Sequence, residues 1–102
     1  MTKYKEYYQK MVEENAELFE SFREIHDLYA KNKFAHQDEF NEIGYEVIEV
    51  IRDWERRLCS AMGRGKYSSY SHRLADKFKE EIRKTLPLID VIGVKIKKPA
   101  KN

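Results

Sequence analysis

The densest gathering of chemically competent side chains is the run Met62-Gly63-Arg64-Gly65-Lys66-Tyr67-Ser68-Ser69-Tyr70-Ser71-His72-Arg73. Nowhere else in the chain do glycines, cations, hydroxyls, aromatic rings and a histidine lie side by side. Such a mixture could serve phosphate binding, metal ligation or acid–base hydrolysis, and each makes a demand on spacing.

A Walker-type phosphate loop needs a Ser or Thr after its Gly-Lys pair and a glycine five residues before that pair's own glycine. Here Tyr67 follows Gly65-Lys66, and Ser60 occupies the place of the first glycine. A di-iron helical bundle needs Glu three residues before His. The residues three before His26, His36 and His72 are Arg23, Lys33 and Ser69, so no metal site is expected, and no cofactor. Cys59 is the sole cysteine, which excludes an internal disulfide and a cysteine-based zinc site. It lies in an apolar stretch with no nearby histidine to activate it, so it reads as packing. Hydrolysis would have to centre on His72. Seven residues separate it from Arg64, more than the Arg-to-His spacing of small helical ribonucleases. His72 reads instead as a phosphate-contacting or capping residue, with no catalytic residue and no enzyme expected.

What passes the spacing test is a row of cations. Lys66, Arg73, Lys77 and Lys84 stand seven, four and seven residues apart, so on a helix turning about 100° per residue they fall within roughly 20° of one line. Tyr70 joins that face. Arg64 extends it past the helix start, where free backbone N–H groups and the positive end of the dipole favour phosphate. Ser68 and Ser69 add hydroxyl donors, and Tyr70 could stack on a base. The expected nucleic-acid-binding residues are therefore Arg64, Lys66, Ser68, Ser69, Tyr70, His72, Arg73, Lys77 and Lys84. Cations on the outer face of an amphipathic helix also serve plain solubility, and Glu80 and Glu81 interrupt the row. The same row could answer an acidic helix of this chain or of a neighbour.

Three helical patterns position this run. Tyr4, Tyr8, Met11, Asn15, Leu18, Phe22, Ile25 and Tyr29 alternate spacings of four and three, a heptad seam along one helix over residues 4–29. Tyr7, Val12, Phe19 and Leu28 widen it into the broad apolar arc of a bundle helix. Asn15 inside the seam sets the register of an assembly, bonds to a neighbouring helix or points sideways. Tyr4, Tyr8, Met11, Asn15 and Leu18 are the expected oligomerisation residues. The turn is expected within residues 30–37, with Asn32 as C-cap. A second helix follows over residues 38–62, its seam built from Phe40, Gly44, Val47, Ile51, Trp54, Leu58 and Ala61. Gly44 costs about 1 kcal/mol against Ala in a helix interior, so it predicts close approach of a bulky side chain, for which a Phe or Tyr of the first helix is the natural choice. Trp54 belongs to the core.

Gly63 ends the second helix and Ser68 or Ser69 caps the third, whose apolar side is Tyr67, Leu74, Ala75, Phe78, Ile82 and Leu86. Pro87 stops it. Residues 88–92 read as a short helical turn or an extended piece, and Val94-Lys95-Ile96-Lys97 alternates like a strand without a partner. The two long helices outreach the third, so the aromatic end with Tyr4, Tyr7 and Tyr8 is expected to overhang and invite self-association.

The composition agrees with a folded helical chain. Of 102 residues, 41% are hydrophobic and 37% charged, with four Gly and two Pro, which suits one domain with a modest core. No run reaches the length of a membrane span and residues 1–10 lack a signal-peptide core, so a cytoplasmic protein is expected. The formal charge of +2 divides into −5 for residues 1–63 and +7 for residues 64–102, and the sign changes at the opening run.

The expectation is thus an all-α antiparallel bundle of three main helices, two long and one shorter, with a short C-terminal turn or extended tail. A single domain spans residues 1–96, followed by a basic mobile tail over residues 97–102. The function expected is that of a non-enzymatic accessory subunit, a homo-oligomer that binds the backbone of DNA or RNA without reading sequence. The alternative is a helical protein–protein interaction module of adaptor, antitoxin-like or inhibitor type, with no nucleic-acid contact.

Overall fold

The structure, a computed structural model, describes residues 3–62 and 71–94, with side chains described for residues 3–61 and 75–94. Among these residues every regular element is helical and no strand occurs. The order is α1 (Lys3–Glu14), α2 (Ala16–Lys31), α3 (Lys33–Met62), α4 (Ser71–Thr85) and a 3₁₀ turn at Ile89–Val91.

The heptad seam expected of one continuous helix is divided at Asn15. The backbone bonds run through the break, from Asn15 N–H to Met11 O at 3.1 Å and from Phe19 N–H to Asn15 O at 3.0 Å. What changes is Asn15 itself, at φ −125° and ψ 38°. Its side-chain amide donates to the Met11 carbonyl at 2.9 Å, so side chain and backbone compete for one acceptor. This is the local bonding that makes Asn a poor residue inside helices. The partner of Asn15 is therefore its own preceding turn.

The turn between α2 and α3 is a single residue, Asn32, where eight residues were expected. Asn32 acts in both directions. Its backbone N–H closes α2 on Leu28 O at 3.0 Å, and its side-chain oxygen accepts from Ala35 N–H at 3.2 Å, capping α3. A cap of this kind satisfies one of the orphan donors of a helix start. α3 thereby gains five residues over the expectation and reaches about 45 Å.

Aromatic contacts register the helices. Tyr29, near the end of α2, stacks on Phe40 at 4.0 Å with the rings 6° from parallel, and Phe22 lies 5.3 Å from the same ring. Tyr7 of α1 meets Trp54 edge-on at 6.0 Å, late in α3. Phe78, Ile82 and Leu86 follow at four-residue steps and are buried, joining Met11, Val47 and Leu58 in one apolar core. Trp54 is in that core, as its seam position implies.

The N-terminal aromatics do not overhang. Tyr4, Tyr7 and Tyr8 are half-buried against the core, and the Tyr8 hydroxyl lies 3.1 Å from Thr85 Oγ1. The reason is that α1, separated from α2 at Asn15, packs on both α3 and α4.

Past Pro87 the chain folds back as a strap over residues 87–94. The Leu88 N–H donates to His26 Nε2 at 3.2 Å, and the Gly93 N–H donates to Asn41 Oδ1 at 2.8 Å. Gly93 has φ +92°, a left-handed conformation that strains residues carrying a Cβ. Gly44 does admit a bulky neighbour, but the neighbour is Ile92 of the strap and not a Phe or Tyr of the first helix. A Cβ at Gly44 would stand 2.8 Å from both Ile92 γ-carbons.

Candidate nucleic-acid interface

α4 presents two cations of the expected row because its apolar residues recur every four positions and are drawn inward. Phe78 is 0% and Ile82 1% exposed, which leaves Lys77 and Lys84 exposed on the other side. Seven residues apart, they lie within roughly 20° of one line along the helix.

Neither ammonium stands alone. Lys77 Nζ is 5.9 Å from the centre of the Tyr4 ring, at the outer limit of a cation–π contact. Lys84 Nζ bonds to Glu81 Oε1 at 3.0 Å. That bond, and next the charge of the Glu81 carboxylate, holds the Lys84 ammonium above the ordinary lysine range. Arg83 makes a two-pronged contact with Asp90, at 2.6 Å through Nε and 3.2 Å through the second nitrogen, and is raised in turn by that hydrogen bond. Part of the field of Lys84 and Arg83 is thus spent on carboxylates of the same chain.

Of the other expected interface residues, Arg64, Lys66, Ser68, Ser69 and Tyr70 lie outside the described residues. His72 and Arg73 belong to the first turn of α4, and their side chains lie outside the described residues. The structure therefore brings together Lys77 and Lys84 from that set. It adds Tyr4, which approaches the row from α1. The signal for the intrachain pairs was present in the spacing, since Glu81 precedes Lys84 by three residues. The Arg83–Asp90 pair crosses the Pro87 turn, and no helical periodicity announces it.

The residues expected to mediate oligomerisation are placed as follows. Met11 is 0% exposed within the chain's own core. Tyr4, Tyr8 and Leu18 are half-buried against that core, and Asn15 is bonded to its preceding turn. Beside Tyr8 an open groove of about 420 Å³ runs past Val12, Phe19 and Leu86.

The acidic first half of the chain also carries cations matched to nearby acids. Arg57 bonds to Asp53 at 2.9 Å and lies 4.6 Å over the Trp54 ring, and Arg56 reaches the same carboxylate at 3.4 Å. Among the described residues no group of three or more His, Cys, Asp or Glu side chains could hold a metal ion, and no helix is long and apolar enough to cross a membrane. No protein-family model, curated protein or solved structure matches the chain significantly. The functional reading rests on its own residues.

Proposed function

We propose that the protein is a non-enzymatic, cytoplasmic accessory subunit of a nucleoprotein assembly, and that α4 with the run before it contacts the backbone of DNA or RNA. In this reading the fold is an antiparallel bundle. One arm is α1 and α2, separated at Asn15, the second is α3 and the third is α4. Arg64, Lys66, Arg73, Lys77 and Lys84 supply charge, Ser68, Ser69 and His72 supply polar contacts, and Tyr70 supplies a stacking surface. The observation that carries the reading is the exposure of Lys77 and Lys84 on the side of α4 away from Phe78 and Ile82.

Phosphate contacts release counterions, so affinity falls with salt in proportion to the number of contacts. The test is binding of a generic oligonucleotide across a salt series. Replacing Arg64, Lys66, Arg73 and Lys77 together with Ala should lower the slope of log affinity against log salt by up to about 3 to 4. Absence of binding by the unaltered chain at low salt overturns the proposal.

A second reading, a protein-interaction module that assembles with itself, draws on the open groove beside Tyr8. Its apolar lining of Val12, Phe19 and Leu86 suits a second copy of the chain. Light scattering at two concentrations separates the readings, because a concentration-dependent dimer indifferent to oligonucleotide favours the second.

A further inference from the structure

A second recessed place lies away from the cationic row, where α3, α4 and the strap meet. Its walls are isoleucines: Ile48 and Ile51 from α3, Ile82 from α4, and Ile89 and Ile92 from the strap. Around this apolar lining stand two anions and two cations, Glu55, Asp90, Arg52 and Lys79. The cavity measures about 220 Å³, roughly seven times the volume share of one water molecule. That is below the pocket range for drug-sized ligands, which begins at about 300 Å³.

The state of the four charges narrows the ligand. Asp90 is engaged by Arg83 at 2.6 Å. Arg52 reaches Glu49 only at 4.0 Å, and Lys79 has no ion pair within 4 Å among the described residues. Glu55 is the odd member, because its carboxylate has no hydrogen-bond partner among the described residues and its Oε2 is shielded from solvent. A carboxylate without a donor marks a place where a donor belongs. The lining thus offers one carboxylate, Glu55, two cations without a close ion pair among the described residues, and a branched aliphatic surface.

We infer that this groove between α3, α4 and the strap binds a single zwitterionic aliphatic amino acid, with its ammonium on Glu55, its carboxylate on Lys79 and Arg52, and its side chain on the isoleucines. A fatty acid would leave Glu55 unpaired, and a simple amine would leave the cations unpaired. A free amino acid of leucine or isoleucine type matches both signs and the apolar lining. The site is independent of the nucleic-acid reading, and failure of either leaves the other standing.

The experiment is a methyl-detected NMR titration of the full chain with L-leucine at millimolar concentration. Isoamylamine, which lacks the carboxylate, and isocaproate, which lacks the ammonium, serve as half-ligands. The expected result is a saturable shift of the Ile51, Ile82 and Ile92 methyl signals by leucine, with each half-ligand weaker by about tenfold. Glu55→Gln and Lys79→Met should each weaken leucine binding by about tenfold, with helical circular dichroism checking that each variant is folded. Should either variant fail to fold, the comparison of the three ligands on the unaltered chain decides. No saturable shift at these methyls, equal binding of leucine and a half-ligand, or unchanged leucine affinity in both folded variants would each overturn the proposal.

Discussion

The junction of α2 with α3 and the strap after Pro87 are both fastened to the start of α3, by opposite means. At the junction, Phe22, Tyr29 and Phe40 hold the helices through broad ring contacts, with Phe40 at 0% exposure among them. The strap is held at points: Leu88 N–H on His26, Gly93 N–H on Asn41, Arg83 on Asp90, and the single knob of Ile92 on Gly44. Ring contacts are many, weak and tolerant of small shifts. Point contacts are few and directional, and each fails alone. The comparison predicts that damage at the junction costs global stability, whereas damage at the strap frees a segment and leaves the helices folded.

The largest effect belongs to Phe40. Its removal abandons the stack with Tyr29, the tilted contact with Phe22 and the packing on the His26 ring, 6.3 Å away. Truncation of a fully buried aromatic costs about 3–5 kcal/mol, a large share of the stability of a domain of this size. Phe40→Ala should therefore lower the urea midpoint sharply, and in the same proportion whether the transition is followed by Trp54 fluorescence or by helical circular dichroism. If the two probes separate, the junction is not the cooperative centre of the fold.

Gly44→Ala should do less, and in another place. The substitution gains about 1 kcal/mol of helix propensity but sets a methyl 2.8 Å from the Ile92 γ-carbons. Those atoms sit on a stiff β-branched carbon, so the strap has to move, and overpacking of this kind costs about 1–3 kcal/mol. Hydrogen exchange should accelerate at Leu88, Val91, Gly93 and Val94 with little change at the α2–α3 contact. With Ile92→Ala present the clash is gone, and Gly44→Ala should then be neutral or stabilising. Persistence of the loss in that double variant would refute the knob-and-hollow contact as its cause.

The same comparison explains what was legible in the sequence. The seam residues Met11, Phe22, Ile25, Tyr29, Phe40, Val47, Trp54 and Leu58 are all buried, because helical periodicity reports burial directly. Asn32 was readable as a C-cap, yet its second role as the cap of α3 was missed, and with it the one-residue turn. The second helix was expected from residue 38, but Asn32 caps α3 six residues earlier. The break at Asn15 left periodicity intact and so left no trace in the spacing. The strap was least legible, since His26, Asn41 and Asp90 find their partners by tertiary proximity and not by helical repeat. For Gly44, the composition argument identified the hollow and named the wrong occupant. At the candidate interface, Lys77 and Lys84 share the exposed face expected of them and the Glu81 pair follows helical spacing, while the Tyr4 contact depends on how α1 packs on α4.

The smallest effect concerns the Arg83–Asp90 pair. The Arg83 hydrogen bond, with the charges of Arg83 and Lys79 behind it, holds the Asp90 carboxyl below the usual carboxylate range. A carboxyl lowered in the folded state binds protons more weakly there than in the unfolded chain, so the unfolded state takes up protons first as the pH falls. The stabilisation is fully present above the ordinary aspartate value of about 3.9, declines below it, and is gone once the folded carboxyl is also protonated. The pair is exposed, at 43% and 57% for the two side chains, and solvent screening keeps its contribution small. Thermal unfolding of the unaltered chain and of Asp90→Asn should therefore differ slightly at neutral pH, converge as the pH drops below about 4, and differ less at high salt. A difference independent of pH would mean that the contact between Arg83 and residue 90 owes nothing to the carboxylate charge. The strap would then be fastened only by the amides of Leu88 and Gly93 and by the Ile92 knob.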